Sequence, residues 1–301
     1  RVSRNRHVVT AGIVGLKMRE DTLAVDDGAE LRIRSWMPVA QHPGRPVLLL
    51  HSLFFDGSMF DQVAVSLCRN RRVLVPDHRG QGESTPGTRP ATAERLAADM
   101  LHLRDAYDLG PVHLVGSSMG AYVAFEILAA DPQCAVSLTV SCCTCREEAD
   151  PNRFDALARK IAEADGKGLG DTLMPLMFGK SFLSDPSAAA QSEYWRARFD
   201  DLPDGTDRVV AAIFSHRGWV DLLRDWGRPI LALSGGEDTA KSPSDLEWIS
   251  EESLGRFELF PRSGHTLPLE EPRAYVSALE GFFGDVERNP DLCRNQPTRQ
   301  T

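Results

Sequence analysis

The 301-residue sequence predicts an α/β architecture: a mostly parallel, twisted sheet with helices on both faces and a helical lid inserted after strand 6. Two observations carry the prediction. From about residue 46 onward, short continuous apolar runs alternate with segments of helical periodicity. An uninterrupted apolar run suits a strand covered on both faces, as in a parallel sheet flanked by helices. Between roughly 146 and 224 the alternation stops, and that stretch holds helical pieces with no credible buried strand. A helical insert in a parallel sheet reads as a lid over the carboxyl ends of the strands, where such sheets bind ligands.

The first strand pattern opens at Met18, in MREDTLAVDD. PVLLLHS (46–52) is the third strand and precedes a helix in MFDQVAVSLCRN. RRVLVPD (71–77) is the next strand, and its loop DHRGQGEST carries Gly80 and Gly82. TAERLAADMLHLRDAYDLG reads as a helix with Thr92 as its cap and Gly110 as its stop. VHLVG (112–116) is a strand, MGAYVAFEILAA a helix ended by Asp131-Pro132, and AVSLTVSC (135–142) the sixth strand. The insert contains FDALARKIAEA, AAAQSEYWRARF and DRVVAAIFSHRGWVDLL. RPILALSGG (228–236), a helix in SPSDLEWISEES, strand RFELFP (256–261) and helix PRAYVSALEGFF then complete the core. The division expected is an N-terminal extension (1–17), a core (18–145 and 225–284), a lid (146–224) and a flexible polar tail (285–301).

Composition narrows the function. A net charge of −9 with no evident basic face argues against a nucleic-acid partner. No apolar run approaches the roughly 20 residues that span a bilayer, and the N-terminal segment lacks a convincing cleavage site, so no membrane role is expected. Three of the six cysteines crowd into SCCTC (141–145) without a paired CxxC or a histidine at ligand spacing. They read as small buried residues in a reducing compartment; no metal or cofactor is called for, and the location expected is cytoplasmic.

The chemistry centres on Gly116-Ser117-Ser118-Met119-Gly120, a G-x-S-x-G between a buried strand and a helix, as a nucleophile elbow requires. Such a turn is too tight for side chains at 116 and 120, and it exposes the central serine, Ser118, rather than Ser117. A serine hydroxyl needs a base. Of eight histidines, His265 in RSGHTLPLEEP follows the last strand and completes the chain order serine, acid, histidine; His102 and His113 sit in a helix and a strand, and His216 belongs to the lid. Asp238 ends the turn SGGED at the same sheet edge and is the expected acid, with Glu237 its nearest rival and Glu147 or Glu148 more distant ones. The developing oxyanion needs backbone donors, expected from Met119 and from Leu53 in the loop after the third strand.

These residues resemble the α/β-hydrolase superfamily over about residues 20–284: HSLFFDGSMFD, PDHRGQGES, GSSMG, GGED and SGH fall in its order and spacing. Within it the chain is similar to 3-oxoadipate enol-lactonases and related lactone or ester hydrolases. The resemblance implies that Leu53 and Met119 are the oxyanion residues and that a small-molecule ester or lactone is the partner, cleaved through an acyl-enzyme. Cofactor-free perhydrolase, carbon–carbon hydrolase and slow-turnover receptor readings share the same scaffold. The chain departs from the enol-lactonase pattern with His51 in place of Asn, Phe54 in place of Gly and Ala121 in place of a second elbow glycine. Phe54 and Phe55, with Phe178, Trp195 and Trp219 from the lid, are the expected substrate contacts. Such a wall predicts uncharged substrates; a carboxylate-bearing one requires a cation, for which Arg79, Arg196 and Arg217 are the candidates.

Overall fold

The computed structural model describes residues 7–9, 18–147, 151–214, 216, 218–253 and 255–289. Among these residues one sheet of nine strands runs β1 (His7–Val9), β2 (Met18–Ala24), β3 (Glu30–Trp36), β4 (Gly44–Leu50), β5 (Arg71–Pro76), β6 (Val112–Ser117), β7 (Ala135–Ser141), β8 (Ile230–Gly235) and β9 (Arg256–Phe260) along the chain. The spatial order is β1-β2-β3-β5-β4-β6-β7-β8-β9. Pairings from β1 to β5 through β3 are antiparallel, and every pairing from β5 to β9 is parallel.

The helices between these strands are α1 (Asp61–Leu67), α2 (Ala93–Ala106), α3 (Met119–Ala130), α4 (Pro151–Glu163), α5 (Gly170–Met177), α6 (Lys180–Leu183), α7 (Ala189–Phe199), α8 (Thr206–Ile213), α9 (Val220–Asp225), α10 (Pro243–Ser253), α11 (Leu267–Glu270) and α12 (Pro272–Arg288). α1 packs on α12, while α2, α3, α9 and α10 form a second contiguous layer. Covered on both faces, β6 and β8 are buried at every position, which is why their sequences lack alternation. The edge strand β9 is exposed at three of five positions and so tolerates Arg256 and Glu258.

Several boundaries differ from the sequence reading for physical reasons. α2 stops at Ala106, short of Gly110, because Asp108 takes the left-handed conformation (φ 48°) and Leu109 N–H closes on Arg104 O at 2.9 Å. The stretch DRVVAAIFSHRGWVDLL divides into α8 and α9. α5 was unforeseen: Pro175 lies inside it and masks its periodicity. α12 runs to Arg288, past the expected start of the tail at 285. Val286 is buried there, and Glu287 reaches back to the Arg71 side chain and to His113 Nε2 at 3.2 Å. The expected extension contributes β1, and its other residues lie outside the described ones, as do residues 290–301. α4 to α8 form the insertion between β7 and β8, whereas α9 packs on α3 and α10.

Candidate active site

Ser118 stands at the β6–α3 junction with φ 50° and ψ −112°. A non-glycine residue in that region carries strain of about 1–3 kcal/mol, sustained only where the surroundings over-determine it. Here they do. Ser118 N–H donates to Ser141 O at 2.8 Å. A Cβ on Gly116 would come within 2.4 Å of Gly120 O, and one on Gly120 within 2.1 Å of Leu50 O. Both glycines are therefore required by backbone contact, and the turn they permit presents Ser118 at the sheet's carboxyl edge.

Two further loops converge on that edge. After β9, His265 is buried with Nδ1 2.8 Å from Asp238 Oδ2. After β8, Asp238 is fixed in turn, its Oδ1 accepting the N–H groups of Ala240 (2.8 Å) and Lys241 (3.0 Å). His265 and Ser118 line one cavity. The rival acids point elsewhere: Glu237 accepts the backbone N–H and hydroxyl of Ser181 at 2.7 Å each, which holds its carboxyl below the usual range. Glu147 is exposed, and Glu148 lies outside the described residues.

Cys142, which the spacing within SCCTC does not single out, also belongs to this group. Its Sγ, the Asp238 carboxylate and a His265 nitrogen lie within 4.8 Å of one another. Burial, reinforced by the Asp238 charge, pushes the thiol well up, so the sulfur stays protonated. The five described cysteines are buried, and none of them is joined in a disulfide.

The loop after β4 forms the other wall. Among the described residues, neither the Leu53 nor the Met119 backbone N–H meets a protein acceptor, and both residues sit beside Ser118. His51 anchors the loop: its Nδ1–H donates to Ser52 O at 2.9 Å and its Nε2 accepts His78 N–H at 2.9 Å, a pattern that assigns the neutral tautomer. Burial lowers the His51 pKa accordingly. Phe54, the position where enol-lactonases carry glycine, adopts φ 71°.

The cavity above Ser118 measures about 220 Å³. Phe54 and Leu53 line it from the core, while Phe154, Leu157, Leu176 and Phe214 line it from the insertion.

A model of the alpha/beta hydrolase family matches residues 47–278. The chain belongs to that family. It is 34% identical over 262 residues to the sn-1-specific diacylglycerol lipase ABHD11 of Danio rerio, covering 79% of this chain and 78% of the relative. A thermophilic esterase from Thermogutta terrifontis superposes with a TM-score of 0.78 at 24% identity, covering 94% of this chain and 99% of that one. The enol-lactonase from Burkholderia xenovorans LB400 gives 0.76 at 22%, covering 87% and 99%. Likeness at these identities speaks for the α/β-hydrolase fold alone.

Within this α/β-hydrolase the expected substrate contacts divide. Phe54 lines the cavity; Phe55, Phe178, Trp195 and Trp219 do not. Phe55 is instead gripped by Trp195, Phe178 and Phe199, at centroid distances of 4.6, 6.0 and 5.3 Å. Trp219 stacks on Tyr122 at 5.5 Å and donates its indole N–H to buried Glu126. These rings satisfy one another, so they fasten the insertion to the core rather than facing a ligand. Phe154 and Leu157, spaced i and i+3 on α4, carried the signal for the true lining.

The candidate cations fall outside too. Arg79 is fully buried between Asp27 (2.6 Å) and Asp99 (2.7 Å), Arg196 pairs with Asp171 at the surface, and Arg217 is outside the described residues. Lys241, three residues beyond Asp238, lines the cavity instead. A lysine in a loop reads as solvated from sequence, which is why it was missed.

Proposed function

We propose that the protein hydrolyses a carboxylic ester or lactone through a Ser118–His265–Asp238 triad and an acyl-enzyme. One observation carries the reading: a serine held at a left-handed φ shares a cavity with a buried histidine whose other face is bonded to a fixed carboxylate. His265 takes the Ser118 proton as Oγ attacks the carbonyl carbon, and Asp238 stabilises the imidazolium that forms. The Leu53 and Met119 N–H groups receive the negative oxygen of the tetrahedral intermediate. The C–O bond to the leaving group breaks as His265 returns the proton to the departing alkoxide. Water, deprotonated by His265, then adds to the acyl carbon and Ser118 departs with the proton.

The name of the Danio rerio relative supports the bond class, since a diacylglycerol lipase acts on carboxylic esters. α4 to α8 serve as the lid, supplying the apolar wall that removes acyl surface from water at about 25 cal/mol per Å². Pre-steady-state hydrolysis of p-nitrophenyl butyrate tests the reading. A burst of p-nitrophenol, and a loss on the order of 10⁴-fold in Ser118→Ala, are expected. A folded Ser118→Ala protein that keeps a tenth of the activity overturns it.

A further inference from the structure

We propose that Glu270 is a positioning residue for the catalytic base, holding the backbone on both sides of His265 and tying it to the insertion. The inference deepens the ester-hydrolase reading and rests on it. Glu270 ends α11, the short helix that follows His265. Its Oε2 accepts the Gly264 N–H at 2.8 Å, and its Oε1 accepts the Thr266 N–H at 3.0 Å. One carboxylate thus takes the N–H of the residue before His265 and that of the residue after it. Oε2 also accepts, at 2.9 Å, the N–H of Gly179, which caps α6 in the insertion. The Thr266 hydroxyl lies between Oε1 (3.0 Å) and Met177 O (3.1 Å), and Met177 lines the cavity. A Cβ on Gly264 would come within 2.2 Å of Gly179 N, so the insertion and the His265 loop touch backbone to backbone where glycine permits it.

Capping α11 would need only the bond to Thr266. The bonds to Gly264 and Gly179 reach outside that helix, to the loop that delivers His265 and to the insertion beside it. An ionised carboxylate offers about four acceptor positions and binds N–H donors more strongly than a neutral carbonyl does. Here those positions fix the peptide planes on either side of His265, and with them the direction in which its ring leaves the chain. That direction has to serve Asp238 at Nδ1 and Ser118 across the cavity at once. A displacement of about 1 Å is enough to cost on the order of 10²-fold in rate. Glu270 itself does not line the cavity, so it acts through His265 and not on the substrate. The bond to Gly179 adds a condition: the base is fully held only while the insertion is seated.

The test follows single-turnover release of p-nitrophenol, with enzyme in excess over p-nitrophenyl butyrate, in wild type, Glu270→Gln and Glu237→Gln. Glu270→Gln keeps one acceptor oxygen and turns an NH₂ donor towards N–H groups that the other oxygen received. Glu237→Gln loosens the same turn of the insertion at Ser181 without touching the N–H groups beside His265. In folded Glu270→Gln the saturating rate constant should fall by about tenfold or more, with half-saturation within about threefold of wild type. A smaller loss, a loss confined to half-saturation, or one matched by Glu237→Gln overturns the role of Glu270 and leaves the ester-hydrolase reading standing. Amide exchange in wild type covers the case in which Glu270→Gln does not fold. The Gly179, Gly264 and Thr266 amides should all exchange slowly, and rapid exchange at Gly264 or Thr266 overturns the role. If wild type and Ser118→Ala release p-nitrophenol alike, the hydrolase reading falls and this inference with it.

Discussion

Asp238 meets His265 through Oδ2 while Oδ1 is held by two successive backbone N–H groups, those of Ala240 and Lys241. The carboxylate is thus oriented by the chain itself before any imidazolium forms. An amide in its place keeps one acceptor and puts an NH₂ donor where the other acceptor stood, against either the His265 Nδ1–H or the two backbone N–H groups. Asp238→Asn should lower kcat by about 10³-fold or more at neutral pH, with residual activity above that of Ser118→Ala. Glu237→Gln should stay within several-fold of wild type, since Glu237 is spent on Ser181. Parallel kinetics on both variants check this, and a larger loss in Glu237→Gln would reassign the acid.

The two aromatic sets in and around the insertion should separate in the laboratory. Trp195 is buried against Phe55, so Trp195→Ala is expected to cost about 3–5 kcal/mol while leaving the ranking of acyl chains unchanged. Phe214 is half-buried and faces the cavity, so Phe214→Ala should change KM and shift preference towards bulkier acyl groups at a smaller cost in stability. Urea unfolding together with a chain-length series of p-nitrophenyl esters reads both effects. Unchanged preference in Phe214→Ala would place the substrate elsewhere.

Which parts were legible in the sequence follows from how local each signal is. The elbow is decided within five residues, because Gly116 and Gly120 collide with nearby backbone if they gain a Cβ, so GSSMG could be read directly. Asp238 and His265 were legible because the strand before each delivers it to one sheet edge. The lining was not. Phe154 and Phe214 meet only when α4 packs on α8, and Trp195 and Trp219 look equally eligible until their partners are known. Cys142 sits at φ 53° just past β7, where strand alternation no longer says which way a side chain points.

His78 links stability to pH. It is fully buried beside His51, with ring centroids 4.4 Å apart, and burial holds its pKa well below the ordinary 6.5. The unfolded chain protonates this histidine near pH 6.5, whereas the folded chain does not until much lower. Below pH 6.5 the unfolded state therefore binds more protons, and the contribution, complete above that value, is lost as pH falls. Asp61, pushed up to about 6 by burial, works in the opposite direction, so the readout is a difference between proteins. The drop in unfolding free energy from about pH 7.5 to 5.5 should be smaller in His78→Leu than in wild type by about 1.4 kcal/mol. Equal drops would mean that His78 titrates normally.

Phe54 occupies the left-handed region at φ 71° while its ring lines the cavity and meets Phe199 edge-on at 6.5 Å. A residue with a Cβ is strained in that conformation by about 1–2 kcal/mol, and the ring contacts offset the strain. Truncation to alanine removes the ring but keeps the Cβ, so it loses the compensation and retains the strain. Glycine removes both, at the cost of about 0.5–1 kcal/mol of extra chain entropy in the unfolded state. Both variants should be less stable than wild type, with Phe54→Gly equal to Phe54→Ala or up to about 1.5 kcal/mol more stable, the reverse of the order at a residue with negative φ. Urea unfolding of the pair measures the order. A markedly more stable alanine variant would mean that the loop relaxes to negative φ once the ring is gone. The Leu53 N–H would then shift with it, and activity on p-nitrophenyl butyrate should fall further in Phe54→Ala than in Phe54→Gly.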